Sequence, residues 1–175
     1  MNLKNALPFS FKRHCLHSFL LAFSLLAFSA SVFGQSSAPQ RKIVVSKQQL
    51  RLYVIESRDT LCNFPCAAGS NLGDKTKAGD RKTPEGTFLV AQIQDSHTWR
   101  HDFHDGHGSR AGAYGGWFIR LKVPGASGIG IHGTCFPESI GTRSTEGCIR
   151  LRNEDLDQLI KYVTVGMECV IEKDN

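Results

Sequence analysis

The sequence predicts a mainly β fold: one bent sheet or sandwich in a single domain, with one short helix. Three observations point there. Short runs alternate apolar with polar residues or are rich in β-branched and aromatic ones. Glycine, proline and polar turn residues separate these runs at short intervals. Only one stretch, close to the C-terminus, carries the apolar stripe of an amphipathic helix. A chain of 175 residues, 41% of them hydrophobic, is long enough to bury one core, and neither a repeat nor a second domain is visible.

The first stretch stands apart. Lys4, Lys12 and Arg13 precede an apolar run from Leu16 to Phe28, followed by the small-residue segment SASVFGQ. Charge, apolar run and small residues in that order predict a secretory signal over 1–34, with cleavage after Gly34 and loss of Cys15. The run is shorter than the roughly 20 residues that span a bilayer, so no stable membrane span is expected. The expected product is an exported, soluble protein with a short flexible lead over 35–41 and one domain over 42–173. The leader holds three of the 21 basic residues and none of the 16 acidic ones, which leaves a nearly balanced surface. Nucleic-acid binding would call for a concentrated basic face and is not expected.

Within the domain, KIVVSKQQLRLYVIE reads as a hairpin broken at Ser46 and Lys47. DTLCNFPCAAG reads as a strand ending at Gly69, NLGDKTKAGDRK as a polar loop, and TPEG as a type I turn feeding the strand TFLVAQI. From Asp95 to Gly116 the chain is rich in Gly, His and Asp without apolar periodicity, which predicts a long loop or lid. WFIRLKV and SGIGIHG follow as strands. Asn153 is placed as the N-cap of the helix, with Glu154 and Asp155 in its first turn and Leu156, Leu159, Ile160 and Val163 as its apolar stripe. Gly166 closes it before a last strand, ECVIE.

The chemistry concentrates in IHGTCFPESIGTRSTEGCIRL, where His132 and Cys148 lie sixteen positions apart. Strand alternation sets Ile129 and Ile131 on one face and Gly128, Gly130 and His132 on the other. It likewise separates Ile149 and Leu151 from Cys148, Arg150 and Arg152. With the apolar residues in the core, His132 and Cys148 both face outward. An imidazole beside a thiol raises its reactivity by sharing or removing the proton. Gly147 allows a tight turn whose N–H groups, with that of Cys148, can stabilise an oxyanion, and Arg150 offers a planar fork for a carboxylate. The chemistry that unites them is acyl transfer through a thioester.

IHGT, then SIG, then GCIRL closely resemble the catalytic signature of the L,D-transpeptidases (YkuD-like), and FPCAAG followed by TPEGTF resembles their upstream strand and turn. The resemblance runs from about Lys42 to Lys173. It implies a β-rich L,D-transpeptidase-type domain that attacks a peptidoglycan stem peptide at the bond between a diamino acid and the terminal D-alanine. The thioester then passes to the side-chain amine of another stem, making a 3-3 cross-link in the periplasm or cell envelope. By this resemblance Cys148 is the nucleophile, His132 the base, and Gly147 with Cys148 the oxyanion hole, while Arg150, Gly133 and Glu146 lie with the substrate. Glu146 is a departure, since many members carry histidine there and others lysine.

Rival readings are the same acyl-enzyme resolved by water, as in a carboxypeptidase or cross-link hydrolase, and a noncatalytic wall-binding protein. A thiol–disulfide protein would call for a C-x-x-C pair, which is lacking. Cys62, Cys66, Cys135, Cys148 and Cys169 remain after the leader, an odd number in an exported domain, which leaves one thiol over if the rest pair; Cys135 is expected to be buried or bonded. His97, His101, His104 and His107, with Asp102 and Asp105, match no metal-site spacing and are expected to form a solvated or substrate-facing loop. No metal and no cofactor are expected. Tyr114 and Trp117 are expected to serve packing.

Overall fold

The computed structural model describes residues 40–174, so the predicted leader lies outside the described residues. Among the described residues, twelve strands and one α-helix follow in order: β1 (Arg41–Ser46), β2 (Arg51–Glu56), β3 (Asp59–Pro65), β4 (Ala68–Gly69), β5 (Gly86–Asp95), β6 (Arg100–Asp102), β7 (Ser109–Ala111), β8 (Trp117–Lys122), β9 (Gly130–His132), β10 (Arg143–Thr145), β11 (Ile149–Arg150), α1 (Asn153–Leu159) and β12 (Glu168–Ile171). The mainly β class with one short helix is what the sequence predicted. No helix among the described residues is long and apolar enough to cross a membrane.

Eight strands form one sheet in the order β11-β9-β8-β5-β12-β1-β2-β3. Period-2 alternation drives it: Ile43 and Val45, Leu52 and Val54, Cys169 and Ile171, and Phe88 and Val90 all point to one core. Leu156 and Leu159 bring α1 against the same core. The sheet curls until its ends meet. Just past β3, Ala67 exchanges two backbone hydrogen bonds with Arg150 of β11, its N–H donating at 2.8 Å and its carbonyl accepting at 3.0 Å.

Four local expectations are corrected. The strand predicted to end at Gly69 stops at Pro65, and the chain re-pairs as β4 with β10 in a separate two-stranded sheet. Thr83 to Gly86 forms no turn, because Thr83 is buried and committed: its hydroxyl accepts the Gly69 amide and its carbonyl accepts Lys47 Nζ. The loop from Asp95 to Gly116 contains the antiparallel hairpin β6–β7, whose charged and polar residues gave no apolar alternation. Asn153 is the first residue of α1 rather than its cap. Arg152, in extended conformation, occupies the cap, while Asn153 Oδ1 accepts the Thr134 amide at 2.8 Å. Lys47, at the predicted break between β1 and β2, is 1% exposed and pairs with Glu85 at 2.7 Å and Asp174 at 2.9 Å.

Candidate active site

β9 and β11 are parallel neighbours, with Ile131 beside Ile149 and His132 beside Arg150. The two isoleucines are fully buried in the core, which turns His132, Cys148 and Arg150 to the other side of the sheet, as alternation requires. That side is not open. His132 and Arg150 are both buried, and Cys148 is only partly exposed. They line a cavity of about 580 Å³ together with His101, Tyr114, Phe118, Thr145 and Glu146. The expected outward orientation is thus away from the core but under cover, because β6 and the residues after β7 wall the site.

The Cys148 thiol donates to the Gly128 carbonyl at 3.3 Å. Burial pushes its pKa up, against a hydrogen bond from the Gly130 backbone and the charges of Arg150 and Lys75. Gly130 is required here by close approach: a Cβ would lie 2.5 Å from the Phe118 ring and 2.7 Å from the Ile119 carbonyl. His132 Nδ1 lies 2.7 Å from the carbonyl of Gly133. A carbonyl only accepts, so Nδ1 carries the proton and Nε2 keeps a free lone pair. The ring stacks on Phe118 at 5.5 Å and meets Tyr114 edge-on at 4.9 Å. Burial between them lowers the His132 pKa to about 3, and the charge of Arg150 acts in the same direction against the Gly133 hydrogen bond. The resting pair is therefore a neutral thiol and a neutral imidazole.

Gly147 has φ +132°, and a Cβ there would lie 2.7 Å from the Lys82 carbonyl. Its amide donates to Thr145 Oγ1 at 3.1 Å, and that hydroxyl donates to the Cys148 carbonyl at 2.7 Å. Thr145 thus braces the turn before the thiol, a role that sequence spacing did not single out. Arg150 Nη1 donates to Ser139 Oγ at 3.1 Å, and the guanidinium lies 5.9 Å from the Phe103 ring centroid. Its Nε is buried without a partner among the described residues.

The other expected residues divide. Gly133 does not line the cavity. It orients His132, and a Cβ on it would lie 2.2 Å from Asn153 Oδ1. Glu146 sits at the cavity edge, its Oε2 3.2 Å from His101 Nε2. Of the four loop histidines only His101 reaches the cavity; His97 bonds Asp95, and His104 and His107 are exposed. Among the described residues no three His, Cys, Asp or Glu side chains are grouped to hold a metal. Trp117 packs on the core as expected, whereas Tyr114, expected only to pack, lines the cavity. Cys62, Cys66, Cys135, Cys148 and Cys169 are all free thiols. Burial pushes Cys66 and Cys169 up to about 12, which makes them inert core residues.

A curled sheet that brings a buried histidine and a glycine-flanked cysteine into one cavity defines a protein of the L,D-transpeptidase architecture. Residues 40–171 match the YkuD family model, the L,D-transpeptidase catalytic domain, and the chain belongs to that family. It is 30% identical over 135 residues to YqjB of Bacillus subtilis, a protein named as an L,D-transpeptidase, covering 76% of this chain and 72% of that one. The helical cell shape determining protein Pgp2 of Campylobacter jejuni superposes with a TM-score of 0.62 at 20% identity, over 79% of this chain and 49% of that one. L,D-transpeptidase 3 of Mycobacterium tuberculosis, solved with a faropenem-derived adduct, superposes with a TM-score of 0.58 at 16% identity, over 78% and 61%. The chain therefore spans about half to two thirds of those two solved chains.

Proposed function

We propose that this protein is a cysteine-dependent peptidoglycan L,D-transpeptidase. The observation that carries the reading is the pairing of β9 with β11, which sets His132 and Cys148 on one wall of one cavity, with Nε2 of the histidine unprotonated. Cys148 Sγ attacks the carbonyl carbon of the bond between the diamino acid and D-alanine, while His132 Nε2 takes the thiol proton. Resting neutrality means that charge develops only with bound substrate, where the amides near Cys148 and the Arg150 guanidinium stabilise it. In this step the Gly147 amide exchanges Thr145 Oγ1 for the oxyanion. His132 then hands its proton to the departing D-alanine nitrogen, and a thioester remains. A side-chain amine of a second stem resolves it, forming a 3-3 cross-link. Family membership supports the substrate class. Arg150, which lines the cavity, offers its guanidinium to a substrate carboxylate.

Covalent trapping tests this. A carbapenem opened by an activated thiol releases no leaving group, so the intact mass rises by one whole drug mass on Cys148 and not on Cys135. Folded Cys148→Ala takes up none. An adduct that survives in Cys148→Ala would sink the assignment. The protein acts outside the cytoplasm, a reading supported by the charged start, apolar run and small residues of 1–34. N-terminal sequencing of the exported protein is expected to begin at Gln35, and an uncleaved N-terminus would refute it.

A further inference from the structure

The cavity holds a second hydrogen-bonded group that the acylation step does not use. His101 of β6 stands between two partners: Tyr114 Oη lies 3.1 Å from its Nδ1, and Glu146 Oε2 lies 3.2 Å from its Nε2. Burial, with the nearby Cys148 and Glu146, raises the Tyr114 pKa, so its hydroxyl keeps its proton and donates it to Nδ1. Nε2 then carries the hydrogen given to Glu146. This leaves the second carboxylate oxygen of Glu146 uncommitted, on a side chain 50% exposed. Glu146 is also the one acid among the described cavity-lining residues, which include the cations Lys75, Arg81, Arg120 and Arg150. It is near enough to Cys148 for its charge to act on the thiol. A cationic ligand group entering this cavity has one oppositely charged partner among the described lining residues, and that partner is beside the nucleophile.

We infer that Glu146, held in place by His101 and Tyr114, is the binding site for the ammonium group of the acceptor amine. The inference rests on the transpeptidase reading and names the residues that choose an amine over water. The acceptor ammonium gives one proton to the Glu146 carboxylate, whose exposed edge returns it to solvent. The freed nitrogen attacks the thioester carbon, so that an N–C bond forms and the C–S bond breaks. The second proton passes through His132 Nε2 to the departing Cys148 sulfur, and the third stays on the new amide. Water as nucleophile needs no carboxylate to hold a positive charge, so loss of Glu146 acts on one outcome and spares the other.

The test uses a synthetic tetrapeptide stem as both donor and acceptor, with cross-linked dimer and hydrolysed tripeptide separated by mass. In Glu146→Gln the dimer-to-tripeptide ratio falls at least tenfold, with a raised KM for the acceptor. In His101→Gln, which leaves the carboxylate present but unheld, the ratio falls less, and Glu146→Asp restores part of it. A wild-type ratio in Glu146→Gln overturns the inference, whatever His101→Gln does. Equal loss of dimer and tripeptide also overturns it, because the pair would then belong to acylation. If the unaltered protein makes neither product, the transpeptidase reading itself fails and this inference falls with it. If it makes tripeptide alone, the cysteine chemistry stands and the amine site is refuted.

Discussion

At the scale of the residue, His132 shows how burial selects a mechanism. An exposed imidazole has a pKa of about 6.5, so mild acid would remove the base. Burial against Phe118 and Tyr114 lowers His132 to about 3, so acylation by the native protein is expected to persist at pH 5, measured as the rate of carbapenem mass gain across pH. Loss of the rate below a midpoint near 6.5 would contradict the assignment. His132→Ala is expected to slow acylation at pH 7 by about 10²- to 10⁴-fold, with recovery only well into alkaline pH, because burial raises the Cys148 pKa. A loss independent of pH would instead mark His132 as a positioning residue. These two side chains and Arg150 were legible from the sequence, because strand alternation is a local rule. Thr145 and His101 were not, since a hydroxyl in a polar run and one histidine among four look alike until the fold selects them.

At the scale of the element, the parallel pair β9–β11 positions the thiol, and its one glycine lets the chain run close to its neighbours. Gly130 lies against β8, where an added methyl meets the Phe118 ring at 2.5 Å and the Ile119 backbone at 2.7 Å. The aromatic ring and the backbone carbonyl cannot both yield, so Gly130→Ala is expected to lose about 1–3 kcal/mol, read as a lower midpoint in denaturant. Since Phe118 also stacks on His132, the same variant is expected to lose acylation rate. Unchanged stability would show that β8 gives way more easily than its burial implies. The strands of the large sheet were legible because each buries one face. The β6–β7 hairpin was not, as its exposed residues follow no apolar pattern and only cross-strand pairing defines it. Nor was the start of α1, because Asn153 had two candidate partners, its own helix or the Thr134 amide, and packing beside Gly133 and Gly115 decided for the second.

For the whole molecule, buried ion pairs tie segments that are distant in sequence where β5, β12 and β1 lie side by side. Lys47, after β1, reaches Glu85 before β5 and Asp174 after β12, and Arg143 of β10 also pairs with Asp174. Burial pushes the Glu85 and Asp174 carboxyls up, but hydrogen bonds and charge from Lys47, with Arg143 at Asp174, hold both below their ordinary values. A depressed carboxylate stabilises the fold above its unfolded pKa, and that contribution is lost as pH falls through the folded value. Lys47→Met leaves two carboxylates with one cation fewer, so it is expected to cost on the order of 3 kcal/mol at pH 7. The gap to the native protein is expected to narrow below about pH 4, where carboxylates protonate. Denaturant melts of both proteins at pH 7 and pH 3 check this, and a gap that widens on acidification would refute it.

Neighbours along the chain suffice for the β class, for which residues of each strand enter the core, for the shared side of His132, Cys148 and Arg150, and for the family signature that joins them. It took the packing of distant segments to make this side a covered cavity, to bury Lys47, to turn Asn153 to Thr134 rather than to its helix, and to set His101 between Tyr114 and Glu146. The reason is physical. Alternation and apolar patterning act over a few residues and are written locally. Desolvation and hydrogen-bond partnership depend on which distant segments the curled sheet brings together, and a polar side chain carries no mark of its partner until that packing is made.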